Sequence, residues 1–136
     1  MSSTIISPWE DHAEQISPNE KIKAEYMNGC EVAMGAPTLG ELWLIYNNSK
    51  KEKISDNAGA SFIWSDNSNY LAYSEWTKDK NQFVRIIKID GMIDKYINKE
   101  MSVIQFESFE NNILKGIDSP IYHPHSFSID VNSLFE

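Results

Sequence analysis

The stretch Phe83-Val84-Arg85-Ile86-Ile87-Lys88-Ile89-Asp90-Gly91-Met92-Ile93-Asp94-Lys95-Tyr96-Ile97-Asn98 decides the fold class. Two runs rich in isoleucine, valine and aromatic residues flank Asp90-Gly91, a dipeptide that tolerates the positive φ a two-residue type I′ hairpin needs at both central positions. The same pattern recurs on either side. Residues 21–27 and 30–35 flank Asn28-Gly29, and residues 103–109 and 113–117 surround Glu110-Asn111-Asn112. Three hairpins are therefore expected. Residues 83–89 alternate imperfectly, with Arg85 and Lys88 among apolar neighbours, as in a strand with one partly solvated face.

Between the first two hairpins lie four more strand-like runs, 40–46, 53–57, 61–64 and 70–76. The turn formers Asn47-Asn48-Ser49 and Ser65-Asp66-Asn67-Ser68-Asn69 separate some of them. Leu42, Trp43, Leu44, Ile45 and Tyr46 are apolar on both strand faces, which predicts a central strand covered on both sides. Residues 126–131 read as one more short strand. A helical signal is confined to residues 9–16, with Ser7 placed as N-cap, Pro8 at the first position, Glu10 and Asp11 in the first turn, and Pro18 as the stop. The expected architecture is mainly β: an antiparallel meander of about ten strands in one domain spanning 1–136. Residues 1–19 form an arm or short helix, and residues 20–131 the β structure. Trp43 and Trp64 are expected in the core, Trp76 at a strand edge, and Trp9 either exposed or covering the sheet.

The chain has 136 residues, 41% hydrophobic and 24% charged, enough to bury a core without staples. Twelve basic side chains oppose twenty acidic ones, a formal net charge of −8. Residues 1–45 hold seven acids and two bases, residues 46–99 seven and nine, and residues 100–136 six and one. Such a chain is repelled by phosphate backbones and anionic lipid, so neither nucleic acid nor membrane is expected as a direct partner. A basic protein is attracted to it. The single Cys30 allows no internal disulfide, which suits a reducing cytosol, and reads as a small buried residue on a strand. The first eleven residues lack the basic start and apolar stretch of a secretion signal, so a cytoplasmic location is expected.

Gly40-Glu41-Leu42-Trp43-Leu44, then Phe62-Ile63-Trp64-Ser65-Asp66 and Tyr70-Leu71-Ala72-Tyr73, resemble a blade of a WD40-like β-propeller. About four blades of roughly 40 residues are needed to close a propeller ring, and this chain is too short for that. Small acidic proteins carrying Gly40, Leu42, Leu44, Phe62 to Asp66, Leu71, Ala72 and Trp76 in this pattern resemble bacterial immunity proteins. These are encoded beside contact-dependent growth-inhibition or polymorphic toxins. The resemblance implies a protein that binds one cognate toxin domain, commonly a basic nuclease, and occludes its active site. It implies no catalytic residues and no cofactor. Acidic groups toward the two chain termini are then the expected contacts: Glu10, Asp11, Glu14, Glu107, Glu110, Asp118 and Asp130, with Trp9 as an aromatic anchor.

Three competing readings come from the residues themselves. His123-Pro124-His125 projects two imidazoles to one side of an extended segment, and His12 offers a third metal ligand. Glu75 with Asp79, or Glu107 with Glu110, forms a carboxylate pair of the kind used in glycoside hydrolysis. No G-x-S-x-G, phosphate-cradling glycine loop or H-E-x-x-H occurs. A small β-sheet binding module unrelated to toxins is the remaining alternative.

Overall fold

A computed structural model describes residues 5–135. Ten strands follow in order: β1 (Ala13–Ile16), β2 (Ile22–Glu31), β3 (Thr38–Tyr46), β4 (Lys51–Trp64), β5 (Tyr70–Trp76), β6 (Gln82–Lys88), β7 (Ile93–Tyr96), β8 (Ile104–Glu110), β9 (Ile113–Asp118) and β10 (His125–Asp130). One helical turn, α1 (Val131–Leu134), ends them, capped by Asp130. Strands β1 to β7 form one antiparallel sheet in sequence order, and β8 to β10 form a second. The mainly β, antiparallel class read from the sequence is what the chain adopts, and neither sheet closes into a barrel or propeller.

The large sheet feeds two cores because its side chains alternate. In β4, Phe62 and Trp64 point to one face and Ile63 to the other; in β5, Leu71 and Tyr73 oppose Ala72. The inner face coils on itself, so that Ala24, Tyr26, Leu42 and Leu44 from β2 and β3 meet Phe62, Trp64, Leu71, Tyr73 and Ile87. Trp64 locks the coil, its indole N–H donating to the Gln15 carbonyl at 2.9 Å and joining β4 to β1. The outer face, through Ile63, Ala72, Val84 and Ile86, packs on Ile104, Phe106, Phe109 and Leu114 of the small sheet. The doubly covered strands are thus β5 and the second half of β4. In β3, expected to be covered on both sides, Leu42 and Leu44 are buried while Trp43, Ile45 and Tyr46 are half-exposed.

Strand β4 unites two of the expected strands, 53–57 and 61–64. Its register slips between Ala58 and Phe62, where Ala58-Gly59-Ala60-Ser61 supplies side chains small enough for a sharp corner. A Cβ on Gly59 would collide with Ser74 Oγ and lie 2.9 Å from Gln82 Nε2. Only glycine lets β5 and β6 approach there. The first half of β4 pairs with β3 and the second with β5.

The hairpin expected at Asn28-Gly29 does not form. Strand β2 runs straight through, and the pairing with β3 slips from Met27↔Glu41 to Cys30↔Leu39, a bulge with Asn28 at φ 60°. Left-handed tolerance serves a bulge as well as a turn, and continued alternation into Cys30-Glu31 keeps the ladder running. Cys30 is exposed at this end of the strand rather than buried. At 90–91 the hairpin exists, but Ile89-Asp90-Gly91-Met92 links β6 to β7 and the positive φ falls on Gly91 and Met92. Asn111-Asn112 is the two-residue turn, both residues at positive φ between paired Glu110 and Ile113. Residues 9–16 form no helix. Ala13–Ile16 pairs with β2 instead, since ladder bonds and the Trp64 contact outweigh a single capped turn. The tryptophan assignments change as well. Trp76 is buried, donating to the Thr38 carbonyl, while Trp43 is half-exposed with Lys53 Nζ 5.5 Å from its ring centroid.

Candidate functional site

The corner in β4 brings four turns of the large sheet to one end of the molecule. The Asn19 amide donates to Ser68 Oγ at 2.9 Å, the Ile89 amide donates to the Asn69 carbonyl at 2.9 Å, and Tyr46 Oη lies 3.9 Å from Met92 Sδ. The small sheet adds its own turn there. The Asp66 amide donates to the Phe109 carbonyl, Asn67 Nδ2 to Asn112 Oδ1 at 3.0 Å, and Asn112 Nδ2 to Asn132 Oδ1 at 3.2 Å. Turns at 17–21, 47–50, 65–69, 89–92, 110–112 and 130–132 therefore share this turn end. It carries the exposed carboxylates Glu20, Asp66, Asp90, Glu110 and Asp130 against Lys21 and Lys50.

All of these turns but 89–92, which backbone bonds hold, are fixed by side-chain bonds. Asn67 Oδ1 accepts from the Ser65 hydroxyl and the Asn69 amide, and the Tyr70 amide donates to Ser65 Oγ. The Ser17 hydroxyl donates to Asn19 Oδ1 in the same manner across residues 17–22. Asp66 Oδ2 accepts from the Asn111 amide and Asp130 Oδ1 from the Asn132 amide. Carboxylates held this way present charge at little entropic cost on binding.

The eight residues expected from the sequence do not form one surface. Glu110 and Asp130 lie at the turn end, whereas Trp9, Glu10, Asp11 and Asp118 lie at the opposite, arm end. Trp9 is half-buried, its indole N–H donating to the Gly35 carbonyl, so it ties the arm to the β2–β3 loop. Asp118 Oδ1 accepts from the Ser102 and Val103 amides and from Ser119 Oγ, bonds that secure the entry to β8. Glu14 lies on β1 directly opposite Glu25, and Glu107 is half-buried on β8. Glu20, Asp66 and Asp90 escaped the sequence reading, because a regular meander would put the 47–50 and 65–69 turns at opposite ends.

A second polar cluster closes the other side of the inner core. Arg85 reaches Glu75 Oε1 at 3.1 Å and Asp94 Oδ1 at 3.3 Å, with the rings of Phe83 and Tyr96 each 5.7 Å away by centroid. The Ser55 hydroxyl donates to Glu75 Oε2 at 2.6 Å and the Tyr73 hydroxyl to Asp94 Oδ2 at 3.4 Å. Burial alone would lower the Arg85 pKa, but Asp94 and Glu75 outweigh it and hold it raised. Burial, reinforced by Asp94 and Glu75, drives Tyr73 well above the ordinary phenol range. This cluster satisfies its own charges. Glu75 is committed to Arg85 and Ser55, while Asp79 is exposed in the β5–β6 turn.

Among the described residues, one grouping has metal-ligand geometry: His12, Glu14 and Glu25, with ligand atoms within 4.8 Å of one another. His12 Nε2 lies 2.7 Å from Glu25 Oε2, and Lys23 Nζ sits 3.3 Å from Glu14 and 4.0 Å from Glu25. The lysine ammonium already supplies the cation this carboxylate pair attracts. His123 and His125 are exposed and belong to no such grouping among the described residues. No helix among the described residues is long and apolar enough to cross a membrane. In comparisons with known proteins, the chain matches no family model and no curated protein.

Proposed function

We propose that this protein is an immunity protein that binds a cognate toxin domain, a basic nuclease, and occludes its active site. The observation that carries the reading is the turn end, where Glu20, Asp66, Asp90, Glu110 and Asp130 converge from five segments of the chain, all but Asp90 on turns ordered by side-chain bonds. A nuclease must present a basic surface to its phosphate track. A rigid acidic face imitates that track, attracts the enzyme at long range and speeds encounter. Speed matters because inhibition must precede the first contact with substrate. Glu110 and Asp130 are the docking residues in this reading, with Glu20, Asp66 and Asp90 beside them; Glu10, Asp11, Glu14 and Trp9 serve a second zone on the arm side.

The test is co-expression with the toxin domain encoded beside the gene. Growth should be rescued, and the two proteins should co-purify as a complex. Persistent toxicity together with no complex in the purified mixture would reject the reading.

A further inference from the structure

We infer that the mouth of the coiled sheet is a docking groove for a polypeptide segment that carries a carboxylate next to an aromatic side chain. The groove, about 690 Å³, opens at the turn end between the β1–β2, β3–β4 and β6–β7 turns. Its floor is apolar: Ile22, the Tyr46 ring and Met92. Its rim carries Lys21 and Lys50, neither of which makes an ion pair among the described residues, although carboxylates dominate that end. The remaining carboxylate of the wall, Glu52, already accepts from the Tyr46 hydroxyl at 3.0 Å. Lys50 Nζ lies 5.9 Å from the Tyr46 ring centroid, so the rim cations and the aromatic floor together complement one anion attached to a flat apolar group.

Shape and charge choose the occupant. The groove is wide open, so it would leave much of a small molecule in water, whereas dedicated small-ligand pockets enclose most of their ligand. A segment of a larger chain needs only one or two side chains seated. A polyanion is disfavoured, because its further phosphates would meet Glu20, Asp66 and Asp90. Met92 adds adaptability: it holds φ 49°, uncommon for a bulky side chain, and lines the groove with a flexible thioether. The Asn48 side chain orders the opposite wall by accepting from the Lys50 amide at 3.0 Å. The inference does not depend on what protein supplies the segment.

Methyl-labelled methionine NMR isolates the site, because Met92 is one of only five methionines in the chain. The probe is N-acetyl-Gly-Gly-Phe-Asp-Gly amide at up to millimolar concentration, compared with its Asn-for-Asp counterpart and with uridine monophosphate. The Asp peptide should shift the Met92 methyl saturably. The Asn peptide should bind about fivefold more weakly, the size of one or two exposed ion pairs. The double variant Lys21→Gln/Lys50→Gln should erase that difference, and Tyr46→Ala should abolish the shift while the other methyl signals keep their positions. An unmoved Met92 methyl, equal binding of both peptides, or a response to the nucleotide but not the peptide would each overturn the inference.

Discussion

At the scale of single residues, the buried phenols tie stability to pH. Thr38 Oγ1 donates to the Glu10 carbonyl, so the Tyr26 hydroxyl donates to Thr38 at 2.7 Å, and burial above all pushes its pKa up to about 12. An acid whose folded pKa exceeds its unfolded value of about 10 keeps its proton in the folded state only. Between pH 10 and 12 the unfolded chain therefore binds fewer protons, and stability falls as pH rises, by about 1.4 kcal/mol per unit for Tyr26 alone. Tyr73 shifts in the same direction and adds to the slope. Urea melts at pH 8, 10 and 11 should show the decline, and Tyr26→Phe should flatten it; an unchanged slope in that variant would refute the assignment. Arg85 is the other decisive residue. Arg85→Met keeps an apolar side chain beside Phe83 and Tyr96 but leaves Glu75 and Asp94 without their shared cation. We expect a loss of about 2 kcal/mol at neutral pH, in the range for stranding half-buried charged partners. Urea denaturation of the wild-type and variant proteins at pH 7 measures the loss, and an unchanged midpoint would refute it.

At the scale of elements, the corner in β4 is the least replaceable feature. Gly59→Ala forces its Cβ onto Ser74 and Gln82, and should cost about 1–3 kcal/mol, the usual range for an overpacked core position. Adding Ser74→Gly should recover part of it, since the closest obstacle is the serine hydroxyl; thermal melts of the two variants, separately and together, give the coupling. A same-sized loss with no recovery would place the strain elsewhere. This corner also explains what the sequence could and could not reveal. Turn chemistry was legible wherever a dipeptide ended a run of alternation, as at Asn111-Asn112. It misled at Asn28-Gly29, where the same left-handed tolerance makes a bulge within an unbroken strand. Residues 70–76 were legible to the residue, because a polar turn bounds them on one side and Thr77-Lys78-Asp79 on the other. The run of small residues from Ala58 to Ser61 reads locally as a gap between two strands. Only the pairing of β4 with both β3 and β5 turns it into a bend.

At the scale of the whole molecule, that bend decides which charges act together. Acidity at the two chain termini was visible in the sequence, but chain position does not map onto surface position: Glu10 and Asp11 lie at the arm end, and Glu110 and Asp130 beside Asp66 and Glu20. A face assembled from several turns acts as a field rather than as separate contacts. Neutralising part of it should therefore slow association more than it changes dissociation. In Asp66→Asn/Glu110→Gln/Asp130→Asn, the amides keep acceptors where Asp66 meets the Asn111 amide and Asp130 the Asn132 amide, so the turns persist while three charges vanish. Melting temperature should stay level or rise slightly, because like-charge repulsion is relieved. Association with the basic partner domain should fall on the order of tenfold at low salt, and the deficit should close near 0.5 M NaCl, where the screening length is down to a few Å. Asp79→Asn/Glu100→Gln is the control, removing two charges from exposed residues at the far end that belong to neither docking zone. If stopped-flow mixing shows the two variants slowed alike, total charge rather than the turn end governs encounter. A selective loss in the first variant would locate recognition at the face that the β4 corner assembles.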